Sequence, residues 1–265
     1  LALLFVASLA TAVRAQTYVI DSNISDWGIN STTLISSTAK SQMIEDFVGA
    51  SGYVGPQYGG QTYDAEAIYV DWNSSRVFVG VLTGMPPTHT NYSPADILFD
   101  FNYSPIDANL ASTSTPDYAL VVNGYSGLTV GNFYQGTTWA NAQVSTSYVV
   151  AVKTGAVLAT MGIGSTNTAF SYSSTGITQL GSTLGDTHYF IEASIPMSAF
   201  GSLWTASGPT QPVEVRWSMY CGNDFISTVV VPEPSTVAGV GLMLGGLFFA
   251  RRSRSARTVP EKQAA

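Results

Sequence analysis

Apolar and polar residues alternate along several short segments of this chain, and this two-residue period constrains the fold more than any other feature. In the segment 213–221, Val213, Val215 and Trp217 fall on one face of an extended chain, and polar residues separate them. Because successive side chains of a β-strand point to opposite faces, this pattern is typical of a strand. The same reasoning predicts strands at 65–72, 76–83, 96–101, 118–123, 145–152, 188–195 and 225–230.

Turn-forming residues separate these segments. Asn73-Ser74-Ser75 predicts a hairpin turn, and a single helical turn is expected at 196–201, with Pro196 at its first position. Many short strands with this punctuation predict an all-β fold, an antiparallel β-sandwich of the jelly-roll-like type, over residues 16–230. The span 22–61 is expected to be rich in loops.

The first 15 residues have the composition of a secretory signal peptide that is clipped at its start. An apolar run is followed by Val13-Arg14-Ala15, a small-residue pattern that signal peptidase recognises. We therefore expect cleavage between Ala15 and Gln16 and export of the remaining chain.

The C-terminal residues divide into three parts. Val231-Pro232-Glu233-Pro234 opens a box at 231–236, an apolar run occupies 237–250, and Arg251, Arg252 and Arg254 lie in a basic segment at 251–257. As a helix, residues 235–250 would span ~24 Å, and flanking arginines can extend that reach towards the ~30 Å hydrocarbon core. We expect one short transmembrane helix with its basic side in the cytoplasm, and a disordered tail at 258–265.

This tripartite tail resembles the PEP-CTERM sorting signal of Gram-negative bacteria. The resemblance implies recognition at the inner membrane by an exosortase-like processing enzyme, cleavage near the box, and transfer to the cell surface or extracellular matrix. The two prolines favour an extended segment, which an enzyme can bind without unfolding a domain. The alternative is a permanent single-span anchor.

The region between the two ends resembles a second family. Ile20-Asp21-Ser22-Asn23-Ile24-Ser25-Asp26-Trp27 opens it, Tyr63-Asp64-Ala65-Glu66-Ala67-Ile68-Tyr69 follows, and Tyr189-Phe190-Ile191-Glu192-Ala193-Ser194-Ile195-Pro196 comes late. Their order is similar to that in family 9 carbohydrate-binding modules and the wider DOMON-like sandwiches. The resemblance implies a saccharide ligand.

The net charge of the chain argues against nucleic acids as partners and favours cations. Between residues 16 and 230 there are four cations and 15 acids, a net charge of −11. A field of this sign repels phosphate backbones, so we expect no nucleic-acid binding. It attracts cations, and Asp64, Glu66 and Asp224 are the candidate ligands of a structural calcium ion.

Catalytic patterns are weak. Glycoside hydrolysis needs two facing carboxylates, and the candidates Asp71, Asp100 and Glu192 lie on alternating strands, where acids usually point to water. With two histidines and no Gly-x-Ser-x-Gly, a nucleophilic triad is not indicated. We expect a non-enzyme and keep a secreted glycan-active enzyme as the third reading.

Sugar binding is the leading reading. Trp27 and Trp217 are expected to be packing residues. Trp139, in a polar loop predicted at 135–141, is the best candidate for an exposed stacking platform, with Tyr134 and Trp72 as possible companions. The sequence therefore predicts a surface- or matrix-associated protein that binds exopolysaccharide. The alternative is a structural envelope protein without a sugar site.

Overall fold

The structure is a computed structural model that describes residues 17–45, 60–89, 92–103, 115–124, 127–142, 149–160, 170–181, 183–184, 187–222 and 224–233. Leu1–Val231 form one compact unit and Pro232–Ala265 a second. The predicted signal peptide, the predicted membrane span at 237–250 and the arginine cluster lie outside the described residues. No helix in the described part of the chain has the length and apolarity needed to cross a membrane.

Strands dominate the described residues, and the predicted all-β, antiparallel fold is confirmed. The part of the chain that the structure describes contains two short 3₁₀ segments, Gln61–Tyr63 and Met197–Leu203. The strands are β1 (Ser41–Ile44), β2 (Ala65–Trp72), β3 (Arg76–Thr83), β4 (Ile97–Asp100), β5 (Tyr118–Leu120), β6 (Asn132–Asn141), β7 (Val149–Thr160), β8 (Phe170–Ser174), β9 (Gln179–Leu180), β10 (Thr183–Leu184), β11 (Tyr189–Pro196), β12 (Trp204–Thr205), β13 (Gly208–Pro209), β14 (Val213–Ser218) and β15 (Phe225–Val230).

Two main sheets organise these strands. One has five strands in the order β1-β2-β3-β11-β8, and the other has six in the order β15-β14-β4-β5-β6-β7. Every pairing is antiparallel. The pairs β9–β10 and β12–β13 form two small additional sheets. At the predicted hairpin turn, Asn73 Oδ1 accepts hydrogen bonds from the backbone N–H groups of Ser75 and Arg76.

The two main sheets share one apolar core. A single cluster of buried side chains draws Ile68 and Val79 from the five-stranded sheet and Phe99 and Trp217 from the six-stranded sheet. The 3₁₀ segment after Pro196 places Phe200 in this core, where its ring centroid lies 4.8 Å from that of Phe133 and 5.2 Å from that of Phe99. Removing this apolar surface from water is the main source of stability.

A second apolar cluster covers the other face of the five-stranded sheet. The N-terminal segment lies on that face, with Trp27 fully buried against Tyr18, at a centroid distance of 4.0 Å, and against Phe190, at 6.0 Å. Gly80 permits this packing, since an added Cβ would lie 2.5 Å from Cζ of Phe190. Trp27 and Trp217 are buried, so their predicted packing role is confirmed. Both clusters lie within residues 17–233, which therefore contain the core needed for independent folding.

Three strand predictions need correction at their ends. The strand predicted at 118–123 ends at Leu120. β7 begins at Val149 and continues to Thr160, beyond the predicted end at 152, and residues 145–148 lie outside the described residues. The regular pairing of β14 ends at Ser218, after which Met219 forms an isolated bridge with Pro94.

Candidate functional site

Trp139 lies on strand β6, so its predicted position in a polar loop is wrong. β6 pairs with β5 on one side and with β7 on the other. The pairing with β7 shifts register between Gly136 and Thr138 and again between Thr138 and Trp139. Such bulges re-aim side chains locally and interrupt the alternation by which a strand is recognised in sequence.

The indole of Trp139 is half-buried on the outer face of the six-stranded sheet. It packs against a cluster that consists of Leu98, Ala119, Val121, Tyr134 and Val152. These residues alternate with residues of the inter-sheet core, which places them on the opposite face of the sheet. Gly136 lies directly beside the indole, because an added Cβ there would be 2.0 Å from Cζ2 of Trp139. The ring is thus held against the backbone of its own strand and keeps part of its surface exposed.

Hydroxyl groups flank this indole along the β6–β7 pair. Thr137 and Thr138 are exposed, and their Oγ1 atoms lie 2.9 Å and 2.7 Å from Oγ1 of Thr154 on β7. Lys153, next to Thr154, is also exposed. An apolar ring close to exposed hydroxyl groups combines stacking and hydrogen-bonding partners at one surface.

The two other predicted sugar-binding aromatics are buried. Tyr134 belongs to the cluster beneath Trp139 and is 4% exposed, so it can support the indole but presents little surface of its own. Trp72 is likewise 4% exposed and lies in the inter-sheet core, with its ring centroid 5.8 Å from that of Trp204. Lys40 Nζ and Gly208 cover the Trp72 ring from outside the core. The structure therefore brings Tyr134 and Trp139 together and leaves Trp72 elsewhere.

A shallow depression adjoins the same apolar cluster. Leu98 and Val149 line it and also belong to or pack against the Trp139 cluster. Asp96, Arg216 and Ser218 supply its polar side, and Trp217 and Phe225 complete it. Its cavity volume is about 10 Å³, far below the ~300–1,000 Å³ of typical small-molecule pockets. This surface suits the side of an extended ligand better than an enclosed small molecule.

Charged groups are buried beside the depression, although acids on this face of β14 were expected to point to water. Glu214 and Arg216 are each 3% exposed, and Arg216 Nη1 lies 3.2 Å from Glu214 Oε2. Asp100 is opposite Glu214 in the strand register. Burial raises the pKa of Glu214, and the Arg216 guanidinium opposes that rise. Neither Asp100 nor Glu214 lines the depression.

Asp96 ties strands together beneath the same surface. Its Oδ1 accepts a hydrogen bond from the N–H of Val122 at 3.1 Å, and its Oδ2 accepts one from Val152 at 2.9 Å. Burial raises the pKa of Asp96 to about 7, and the two N–H donors hold it below the value that burial alone would give. This carboxyl joins the start of β4 to β7 and to the segment after β5.

The two other candidate carboxylates for glycoside hydrolysis anchor the N-terminal segment. Glu192 Oε1 accepts a hydrogen bond from Trp27 Nε1 at 2.6 Å, and its Oε2 accepts from the backbone N–H groups of Ser22 and Asp21 at 2.9 and 3.0 Å. Asp71 accepts from the Tyr18 hydroxyl at 2.7 Å and contacts Lys40 Nζ at 3.0 Å. Both carboxylates have structural partners, and Glu192 supplies the buried acceptor that the Trp27 indole N–H needs.

Of the three predicted calcium ligands, two contact each other and the third contacts a histidine. Asp224 forms a side-chain hydrogen bond with Asp64, and its Oδ2 accepts from the backbone N–H of Ala65 at 2.8 Å. Glu66 Oε1 lies 2.8 Å from Nδ1 of His188, and both side chains are fully buried. Within the described ranges there is no group of three or more histidine, cysteine or acidic side chains that could hold a metal ion. Calcium takes six to eight oxygen ligands, and the calcium site stays a prediction that metal titration tests.

Sequence reasoning missed an aromatic group near the 3₁₀ segment Gln61–Tyr63. Tyr63, His89 and Tyr92 are half-buried, and the ring centroid of Tyr63 lies 5.3 Å from that of His89 and 6.1 Å from that of Tyr92. These residues lie in connecting segments, where no periodic pattern marks a side chain as exposed or buried. Only the fold brings the three rings together.

The fold and this surface define an all-β, antiparallel protein with a shallow aromatic face. A scan against models of protein families and a search of curated proteins found no match to the chain. The resemblances in the tail and in the domain between the ends therefore rest on the motifs themselves and stay predictions.

Proposed function

We propose that this chain is an exported, non-catalytic surface or matrix protein that binds exopolysaccharide through the outer face of its six-stranded sheet. The observation that carries the proposal is the half-buried indole of Trp139, held against Gly136 and bordered by Thr137, Thr138 and Thr154. Sugar rings have apolar C–H faces and hydroxyl edges, and this surface offers a partner for each. The jelly-roll-like sandwich class belongs to the same proposal.

The shallowness of the site supports a polymer as the ligand. The depression beside Leu98 and Val149 adjoins the apolar cluster under Trp139 and is too small to enclose a ligand. A chain of sugar units can lie along such a face and contact it at several points. Weak single contacts then add up along the polymer, because each further contact is intramolecular.

The sorting part of the proposal rests on the C-terminal motif. β15 ends at Val230, and the next residue, Val231, is 60% exposed. An exosortase-like enzyme at the inner membrane would find this first residue of the box accessible without unfolding the sheet. Replacing Pro232 and Pro234 with alanine in a host that has such an enzyme should leave an uncleaved, membrane-associated chain, detected by the mass of the surface-extracted protein.

The binding part is tested by co-sedimentation of residues 17–233 with exopolysaccharide from the native host. Trp139→Ala should abolish retention, and Trp139→Phe should keep part of it, because phenylalanine preserves an aromatic face. Tyr189→Ala is the matched control, a half-buried aromatic on the five-stranded sheet. It should bind as the unchanged protein does.

Two results would contradict the proposal. Equal loss of retention in Trp139→Ala and Tyr189→Ala would show that the Trp139 face is not the site. If the unchanged protein is not retained by any polymer from the host, a structural envelope protein without a sugar site becomes the better account. Release of reducing ends during the incubation would instead favour a glycan-active enzyme.

A further inference from the structure

The two main sheets end, among the described residues, in the edge strands β1, β8, β15 and β7. An edge strand presents backbone N–H and C=O groups that can pair with another chain, and proteins usually restrict such edges. β1 has four residues and β8 has five, so each offers a short edge. β15 lies beside β1, where Ser41 Oγ is 2.8 Å from Thr228 Oγ1.

β7 differs from these three edges. It has 12 residues, of which Val150 and Val152 form hydrogen bonds with Asp96 through their backbone groups, and its part from Lys153 to Thr160 is exposed or half-buried throughout. Val157 is 51% exposed and Leu158 is 38% exposed, although both belong to a strand whose partner residues on β6 include the buried Phe133 and Tyr134. The strand contains no proline and a single charge, on Lys153. The common devices that block edge pairing, proline and clustered charge, are thus nearly absent from β7.

Charge favours a second copy of the chain as the partner of this edge. Residues 16–230 carry a net charge of −11, yet neither β6 nor β7 contains an acidic residue. Two copies can therefore meet along β7 without bringing carboxylates together, whereas most other approaches would oppose like charges. When two copies of β7 pair antiparallel about a two-fold axis, the two strands run in opposite directions. The two Lys153 side chains then lie on opposite sides of the axis, unless the axis passes through Lys153 itself.

We propose that β7 is a homotypic contact edge, through which two copies pair antiparallel and join their six-stranded sheets into one continuous sheet. The register shifts along β6–β7 bend this hairpin and limit the paired length, so the association is weak and concentration-dependent. The inference does not depend on saccharide binding. If both hold, pairing would give a bivalent particle with two Trp139 faces and a higher avidity for a polymer.

Sedimentation velocity of residues 17–233 over a hundredfold range of concentration tests the proposal. The weight-average mass should rise from that of one chain towards that of two. Val157→Lys should hold the mass at one chain at every concentration, because two added ammonium groups would face each other near the axis. Met43→Lys on β1 is the matched control, since Met43 is 48% exposed on another edge, and it should associate as the unchanged protein does.

Hydrogen exchange provides a second readout. Amides in 153–160 should exchange more slowly at high than at low concentration, and those of β1 should not change. A mass of one chain at the highest concentration overturns the proposal. The proposal is also overturned if Met43→Lys weakens association as much as Val157→Lys does. The same holds if association slows amide exchange elsewhere but not in β7.

Discussion

Glu192→Gln tests the claim that a buried carboxyl holds the N-terminal segment on the five-stranded sheet. Burial raises the pKa of Glu192 from 4.5 to about 7, although Trp27 Nε1 and two backbone N–H groups favour the ionised form. Between these two pKa values the folded chain binds more protons than the unfolded chain. Stability is therefore present in full below the unfolded pKa and is lost as the pH rises through the folded pKa.

The size of this loss follows from the shift. A difference of about 2.5 pKa units corresponds to about 3.4 kcal/mol at ~1.36 kcal/mol per unit, of which about 2.5 kcal/mol falls between about pH 5 and pH 8. Asp96, with a pKa raised from 3.8 to about 7, also lowers the free energy of unfolding as the pH rises. The measurement must therefore compare the unchanged protein with Glu192→Gln, not rely on the total loss.

Glutamine does not ionise and has one acceptor oxygen, so at least one of the three hydrogen bonds to Glu192 is lost. At about pH 5 the variant should be less stable by ~1–3 kcal/mol. Between about pH 5 and pH 8 the ionisation of Glu192 should lower the free energy of unfolding of the unchanged protein by about 2.5 kcal/mol. The variant lacks this ionisation, so its stability relative to the unchanged protein should increase by that amount. Urea unfolding of residues 17–233, followed by tryptophan fluorescence, measures both values, and the exposed Glu233→Gln is the control. A gap between variant and unchanged protein that stays constant with pH would refute the reasoning.

Three further predictions concern the site. Gly136→Ala should displace the Trp139 indole, since the new Cβ would lie 2.0 Å from Cζ2. It should reduce polysaccharide retention and lower the thermal midpoint less than a core substitution does. Unchanged retention would contradict this prediction. Trp72→Ala should lower the unfolding free energy by ~3–5 kcal/mol, while the folded fraction still binds polysaccharide. If folded Trp72→Ala protein does not bind, Trp72 belongs to the site. Millimolar calcium, against EDTA, should leave the melting temperature unchanged, because Asp64 and Asp224 hydrogen-bond each other; a rise that Asp224→Asn abolishes would place an ion there.

Alternation predicted much of the framework. The segment around Val215 shows a clear period of two and forms β14, and the largely apolar segments around Trp72 and Phe99 form β2 and β4. β6 was missed because Gly136-Thr137-Thr138 carries no apolar alternation and the bulges there shift the faces. The period of a strand can be read only where its pairing is regular.

Burial of polar residues could not be predicted. Glu192, Glu214 and Asp96 alternate with apolar residues, and that pattern ordinarily places an acid in water. Each is buried because a distant segment supplies donors, such as Trp27 for Glu192 and Val152 for Asp96. Contacts over such sequence separations follow from topology and not from a local pattern.

The candidate site was predicted in part for the same reason. Trp139 was singled out because polar residues surround it, and this composition correctly indicated a side chain with an exposed part. Its companion Trp72 was misjudged, because the pairing of β12 with β13 brings Gly208 over its ring. Only the three-dimensional arrangement separates a supporting aromatic from an accessible one.

The indole N–H resonances give the most direct measurement of polysaccharide binding at Trp139. The chain has five tryptophans, and four of them are at most 4% exposed: Trp27, Trp72, Trp204 and Trp217. In a ¹⁵N–¹H spectrum of residues 17–233, exopolysaccharide fragments from the native host should shift the Trp139 indole signal in a saturable way and leave the other four in place. A saturable shift of other signals with Trp139 unmoved, or no shift at any concentration, would contradict the account.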